Sequence, residues 1–294
     1  MWRQCSYATY FHSREWAEIW SRYEQGKLRP NPLLVMFTDG KKALLPLSYK
    51  MWESAGASGK YFESSANGNY GGWIAVDPLG TEHAILMKEF LTQELGYLFW
   101  QINPFDDLVA EIGVDATFHG ETQAINLERG FDAVYAGWDS ACRNRERKGR
   151  KSGILVRLAQ TEEDWRGFYR AYEDSLRRWG DQAKKRYGWA LFQEMFNRQS
   201  DHIKLWLATT TDELIVAGVL MCYARTHAVP WHGGILGSYA ALQPNNRLFY
   251  ETIKDACDKR YRWFDFGTSP SEGVRRFKQS FGARSLDYIY VDIR

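Results

Sequence analysis

Cysteine is scarce in this chain. Four occur in 294 residues, at Cys5, Cys142, Cys222 and Cys257, with no C-x-x-C spacing and no histidine cluster beside them. A disulfide framework is therefore excluded, no zinc signature is present, and no metal is expected; reduced thiols in a cytosol are the simplest reading. Long apolar runs are missing too, and nothing approaches the roughly 18 residues that a membrane-spanning helix needs. The N-terminal stretch carries Arg3, His12, Arg14 and Glu15 without a continuous apolar core, so no secretory signal is read there and a cytoplasmic location is expected. Net charge is almost absent, at +2.

That small number hides an uneven distribution. Residues 1–140 hold 11 Lys/Arg against 18 Asp/Glu, whereas residues 141–294 hold 27 against 18. A basic second half points to an anionic partner, such as the phosphates of a nucleotide, a tRNA or a lipid head group. Aromatic residues are plentiful at 16%, with 13 Trp, enough for a substantial core or for aromatic-lined clefts. The length suits one large domain or two of ordinary size.

Order and spacing favour two. In the first half Ser13 can cap a helix bearing Trp16, Ile19, Trp20 and Tyr23, and Leu33–Phe37 and Ala43–Tyr49 read as a hairpin. The glycine- and serine-rich stretch 54–69 reads as loop and ends at Tyr70-Gly71-Gly72. Thr81 then starts a helix, and Tyr97–Ile102 reads as a strand. In the second half Thr161 heads a helix with Asp164 at its third position, Gly188–Arg198 is helical, and Ile203–Thr209 and Leu214–Tyr223 form a hairpin. Gly233-Gly234, a helix from Asn245 and the strand Arg262–Phe266 follow. Helix, hairpin, Gly-Gly, helix, strand thus occurs twice, which predicts duplicated domains. The expected class is mixed α/β, with two tandem domains of mixed sheets flanked by helices, at 1–130 and 131–294, and a last strand at 285–294 that can pair with either.

Four stretches can carry chemistry. Arg143–Lys151 packs six cations around one acid, a density that suits phosphate contact and equally suits an exposed linker. Trp231-His232-Gly233-Gly234 offers a histidine that can act as base or donor near neutral pH, and glycines that permit close approach of a ligand or another backbone, or make a bulge. In Phe264-Asp265-Phe266-Gly267 the alternation sets Asp265 opposite the two phenylalanines near the carboxyl end of a strand, where open sheets bind ligands; alternatively it orients a neighbouring loop. On a helix across Gly273–Gly282, Phe277 and Phe281 form an anchoring face, with Arg275 and Lys278 adjacent. A lysine fixed in this way can stabilise an oxyanion or bind a phosphate; solvated cations on an amphipathic turn are the plainer alternative.

At these residues the sequence resembles the Fem-type branch of the GNAT superfamily of N-acyltransferases. The resemblance is carried by Tyr70-Gly71-Gly72, the run Arg143–Lys151 with Gly153-Ile154-Leu155-Val156, and Trp231-His232-Gly233-Gly234. Tyr239–Asn246, Asp265-Phe266-Gly267 and Phe277-Lys278-x-x-Phe281-Gly282 complete it, and these last three are the more specific. It implies two tandem GNAT-like acyl-CoA N-acyltransferase domains and transfer of an acyl or aminoacyl group to an amine. It also implies no tightly bound cofactor, and a donor that is either acyl-CoA or aminoacyl-tRNA. Lys278, Asp265 and His232 become the catalytic candidates. Tyr70, Arg143, Arg147, Trp231, Tyr239, Asn245 and Arg275 become the substrate-binding ones, facing a phosphate-bearing donor or acceptor. The chain departs from the family in two places. It has no heptad arm, and Pro244-Asn245-Asn246-Arg247 stands where a glycine-rich turn would cradle the pyrophosphate of coenzyme A. A non-catalytic RNA- or anion-binding protein on a degenerate GNAT fold is the alternative.

Overall fold

The computed structural model describes residues 1–54, 56–95, 97–106, 118–183 and 185–293. The chain divides into two compact units. The first comprises Met1–Thr122, Ala224–Thr226 and Ser285–Arg294; the second comprises Gln123–Tyr223 and His227–Arg284.

The first unit begins with α1 (Arg14–Tyr23). The Ser13 hydroxyl accepts from the Trp16 amide at 3.1 Å, satisfying one of the donors a helix start leaves over, and Trp16, Ile19 and Trp20 face inward. Next come β1 (Arg29–Pro30), β2 (Leu33–Met36), β3 (Lys42–Leu45), β4 (Leu47–Ser54), β5 (Ala57–Ser64), β6 (Ile74–Ala75), α2 (Thr81–Glu94) and β7 (Leu98–Gln101). The β2–β3 hairpin pairs onward with β6 in a three-stranded sheet. Pro46, which has no amide hydrogen, ends that run and lets β4 start in a different sheet.

Within the stretch 54–69 expected to be loop, Ala57–Ser64 is in fact β5. It pairs with β4 from Leu47↔Ser64 to Ser54↔Ala57, and turns Phe62 and Ser64 inward. Small polar residues concealed the alternation. β5 and β7 are parallel, so a crossover must join them, and α2 supplies it. Trp73, Trp100, Leu91 and Leu98 fill the core.

The second unit starts within β8 (Phe118–Asn126) and continues with α3 (Phe131–Ala136), α4 (Ser140–Lys151), β9 (Leu155–Leu158), α5 (Glu162–Trp179) and α6 (Trp189–Asn197). Then come β10 (Ile203–Thr209), β11 (Ile215–Tyr223), β12 (His227–Ile235), α7 (Pro244–Asp258), β13 (Trp263–Thr268) and α8 (Glu272–Gln279). Its strands lie in the order β8-β13-β12-β11-β10-β9. As in the first unit, two parallel strands, β12 and β13, are joined by a helical crossover, here α7. The chain's last strand, β14 (Arg284–Ile293), belongs largely to the first unit and runs antiparallel to β7.

Two features of the second unit matter for its chemistry. The β12–β13 pairing extends only over His227↔Trp263 and Ala228↔Phe264, so beyond these residues the two strands part. Meanwhile α5 lies directly on β12 at Gly234, where a Cβ would come within 2.5 Å of the Tyr172 amide nitrogen. Of the explanations for that glycine pair, close approach of another backbone is the one observed at Gly234. No helix among the described residues is long and apolar enough to cross a membrane.

Candidate functional site

The end of β13 carries the densest chemistry. Phe264, Asp265 and Phe266 are all buried, so the strand is covered on both faces. Asp265 Oδ1 accepts from the Gly267 amide at 2.9 Å and draws the chain into a turn that Gly267 completes at φ 71°. Serine 271 caps α8, and the helix delivers Lys278 back to this turn. Phe281 is fully buried, and Phe277 and Phe281 both pack on Phe249, with ring centroids 5.7 and 5.4 Å away. The Lys278 ammonium donates to the Gly267 carbonyl at 2.8 Å and to the Thr268 carbonyl at 2.6 Å.

Only 7% of Lys278 is exposed, and burial lowers its pKa to about 8, with the Asp265 charge acting in the opposite direction. At neutral pH the group is still an ammonium with three donors, two of them engaged by carbonyls. A cation held this way, at the tip of a strand where its neighbour has diverged, can present its remaining hydrogen to an oxygen that gains negative charge. Arg275 is on the same helix but half-buried, with its Nε 3.7 Å from Glu272.

Trp231 and His232 belong to a different cluster. Their strand carries a β-bulge: Leu220 pairs with His232 and Met221 with Pro230, which makes Trp231 the extra residue. Its ring stacks on Tyr187 at 5.5 Å with an interplanar angle of 19°. His232 stands edge-on to Trp231, Tyr187 and Tyr172. Burial, reinforced by the nearby Lys185 charge, lowers the imidazole pKa to about 3. At neutral pH the ring is therefore uncharged.

The basic run is a helix, α4, and this overturns the linker reading. Cys142, Glu146 and Gly149 are buried along one side and attach it to α7. The Asn246 amide reaches Cys142 Sγ at 3.4 Å, Arg247 Nη1 reaches Glu146 Oε1 at 3.2 Å, and Gly149 lies against the Gln243 and Leu242 carbonyls. Arg145, Arg147, Lys148, Arg150 and Lys151 are left exposed. Asn144, Arg147, Lys148, Lys151 and Ser152 line an open depression of about 310 Å³.

Arg143 is not part of this surface. Its guanidinium donates to the carbonyls of Ala136 and Trp138, closing the end of α3. The start of α7 is also altered. Gln243 adopts φ 60°, Pro244 is the first helical residue and has no amide hydrogen, and Gly149 of α4 covers the approach. Asn245 is half-buried in that first turn, and Tyr239 is half-buried against the core of the unit. Tyr70, expected to bind substrate, is fully buried in the first unit, edge-on to Phe105 and Tyr288, and so is a packing residue. Among the described residues no group of three His, Cys, Asp or Glu side chains could hold a metal ion.

Residues 140–279 match the family model of the acetyltransferase (GNAT) domain. This segment is similar to a GNAT domain. The likeness to this acyl-transferring family covers just under half of the chain. The GNAT segment begins with α4 and ends one residue after Lys278, so both the cationic helix and the β13 turn fall inside it.

Among solved structures, FemX superposes with a TM-score of 0.74 at 13% identity, over 97% of this chain and 93% of that one. The C-terminal domain of a putative lysylphosphatidylglycerol synthetase from Agrobacterium fabrum gives 0.58 at 14%, covering 90% and 85%. L-PGS from Bacillus licheniformis gives 0.55 at 13%, covering 94% and 91%. At such identities the likeness is one of fold. The comparison with curated proteins returned no match.

Lys278 and Asp265, both candidates from the sequence, lie together at the β13 turn, while Arg147 is exposed on α4. Sequence reasoning missed Tyr187, the Glu146–Arg247 pair and Gln123, a fully buried residue of β8 whose Oε1 accepts from the Ser269 hydroxyl. Glu146 and Arg247 are 101 residues apart and Gln123 and Ser269 are 146 apart, so no local spacing could have announced either contact.

Proposed function

We propose that this GNAT domain transfers an aminoacyl group from an ester-linked RNA donor to an amine, with Lys278 stabilising the oxyanion. The observation that carries the reading is the buried Lys278 ammonium gripped by the Gly267 and Thr268 carbonyls at the tip of β13. The amine nitrogen bonds to the ester carbonyl carbon, and the developing oxyanion accepts a hydrogen bond from the remaining Lys278 N–H, which keeps its proton. Collapse breaks the ester C–O bond, and the proton lost by the amine ends on the departing hydroxyl. Asp265 shapes the turn and favours the charged form of the lysine.

Two observations support RNA over coenzyme A as the donor. A pyrophosphate needs free amides at a helix start, yet α7 begins with proline beneath α4. The exposed cations of α4, by contrast, suit a phosphodiester backbone, because successive helical turns repeat them every 5.4 Å or so.

The test supplies labelled acetyl-CoA and labelled aminoacyl-tRNA separately and asks which is consumed. Consumption of aminoacyl-tRNA is expected, with Lys278→Ala lowering it by a factor of about 100 or more. Unchanged consumption in that variant removes Lys278 from the mechanism. Changing Lys148 and Lys151 together to Glu should reduce the salt dependence of RNA binding by roughly two in log–log slope; an unaltered slope takes α4 out of the donor site. Steeply salt-dependent RNA binding with no transfer from either donor would favour the second reading, a binding protein on this fold.

A further inference from the structure

Lys278 is held by backbone, and what holds that backbone decides where its charge sits. The two carbonyls that grip the ammonium belong to Gly267 and Thr268, at the strand's end, where β12 no longer pairs with it. Asp265 fixes the Gly267 side of the turn through its carboxylate. The other side continues into Ser269, and Ser269 is tied by its hydroxyl to Gln123 on β8, the neighbouring strand of the sheet.

Gln123 is fully buried, and its Nε2 has no partner among the described residues. A buried amide donor left unmatched is unfavourable, so packing alone does not account for a glutamine at this place. Its use lies at the other end of the amide, where Oε1 receives Ser269.

We propose that Gln123 is a positioning residue for Lys278, acting through Ser269 to hold the Gly267–Thr268 carbonyls around the ammonium. This rests on the reading of Lys278 given above. The turn is therefore bolted twice, once from within β13 by Asp265 and once from β8 by Gln123. Losing the second bolt frees Thr268, which is exposed, and admits water to a lysine that is otherwise nearly sealed. Asp265 is the charged group acting on Lys278 and stays in place, so the change felt at the amine is one of solvation.

The experiment compares wild type, Gln123→Leu, Ser269→Ala and the double variant as full-length chains, each checked by thermal unfolding. Trace labelling with acetic anhydride across pH, read at Lys278 by peptide mass spectrometry, gives the midpoint at which that amine becomes reactive. Consumption of aminoacyl-tRNA is measured in parallel. Both single variants should move the midpoint up by about one pH unit, roughly a fivefold loss of the neutral amine at pH 8. They should lower turnover together, and the double variant should be no worse than either.

An unmoved midpoint in Gln123→Leu and Ser269→Ala overturns the inference whatever happens to turnover. So does a shifted midpoint with wild-type turnover, if Lys278→Ala is inactive. If Lys278→Ala keeps full turnover, the catalytic reading fails on its own, and the labelling midpoints still report whether Gln123 holds the lysine. Should Gln123→Leu not fold, Ser269→Ala deletes the same hydrogen bond from a half-buried hydroxyl and carries the test.

Discussion

Replacing Arg247 with Met should detach α4 from α7, and the cost can be worked from the contacts. The Glu146 side chain is 2% exposed and Arg247 13%, with 3.2 Å between Nη1 and Oε1. Arg247 also bonds Glu251 and lies 5.0 Å over the Tyr250 ring, while Tyr135 donates to the second Glu146 oxygen at 3.3 Å. Removing the cation leaves a carboxylate in the interior with only a phenol for company. Breaking a buried pair from one side costs about 3–5 kcal/mol. For a unit of this size each kcal/mol moves the melting temperature by about 2–4 °C, so a fall of roughly 6–20 °C is expected.

Thermal unfolding followed by circular dichroism reads it, at low and at high salt, and the loss should barely change with salt because the pair is shielded from solvent. The double variant Glu146→Leu/Arg247→Met leaves no buried charge and should recover most of the loss. A single variant that melts within about 2 °C of wild type, or a double variant worse than the single, would refute the argument that this pair anchors the helix.

Two further outcomes follow from the same unit. Gly234→Ala should destabilise by about 1–3 kcal/mol, because its Cβ meets the Tyr172 backbone, whereas Gly233→Ala, which meets only the Gly218 carbonyl at 3.4 Å, should melt close to wild type. Asp164 caps α5 and accepts from Arg157 at 2.6 and 2.9 Å; chiefly through that pair its pKa is lowered to about 2. A carboxylate depressed in the folded state contributes stability that is complete above its ordinary pKa and disappears as pH falls through the folded one. Asp164→Asn should therefore be less stable than wild type at pH 7, with the gap closing between about pH 4 and pH 2; a gap that is constant with pH would exclude the ionic role.

Where local rules act alone, the sequence was legible. Thr161 and Asp164 form the expected capping box, and Trp165, Phe168, Tyr172 and Leu176 are the buried side of α5. The β10–β11 hairpin and the start of α7 appear within a residue of where turn chemistry and periodicity put them. Sequence reasoning failed where a distant partner decides. Nothing in Arg143–Lys151 distinguishes helix from linker until Cys142, Glu146 and Gly149 are seen to meet Asn246, Arg247 and Gln243. The strand at 57–64 was hidden because serine and glycine have weak strand preference, and only its pairing with β4 stabilises it. The surroundings of His232 were hidden as well, because no local spacing announces that Tyr172, Tyr187 and Trp231 meet its ring.

The attachment of α4 has a consequence for divergence. Three inward residues, Cys142, Glu146 and Gly149, secure a twelve-residue helix. The outward positions, Asn144, Arg147, Lys148 and Lys151 among them, can change without disturbing that attachment or the turn at the end of β13. If α4 meets the donor as proposed, relatives of this chain can alter which polyanion they recognise by rewriting one helix face while the β13 turn is inherited intact.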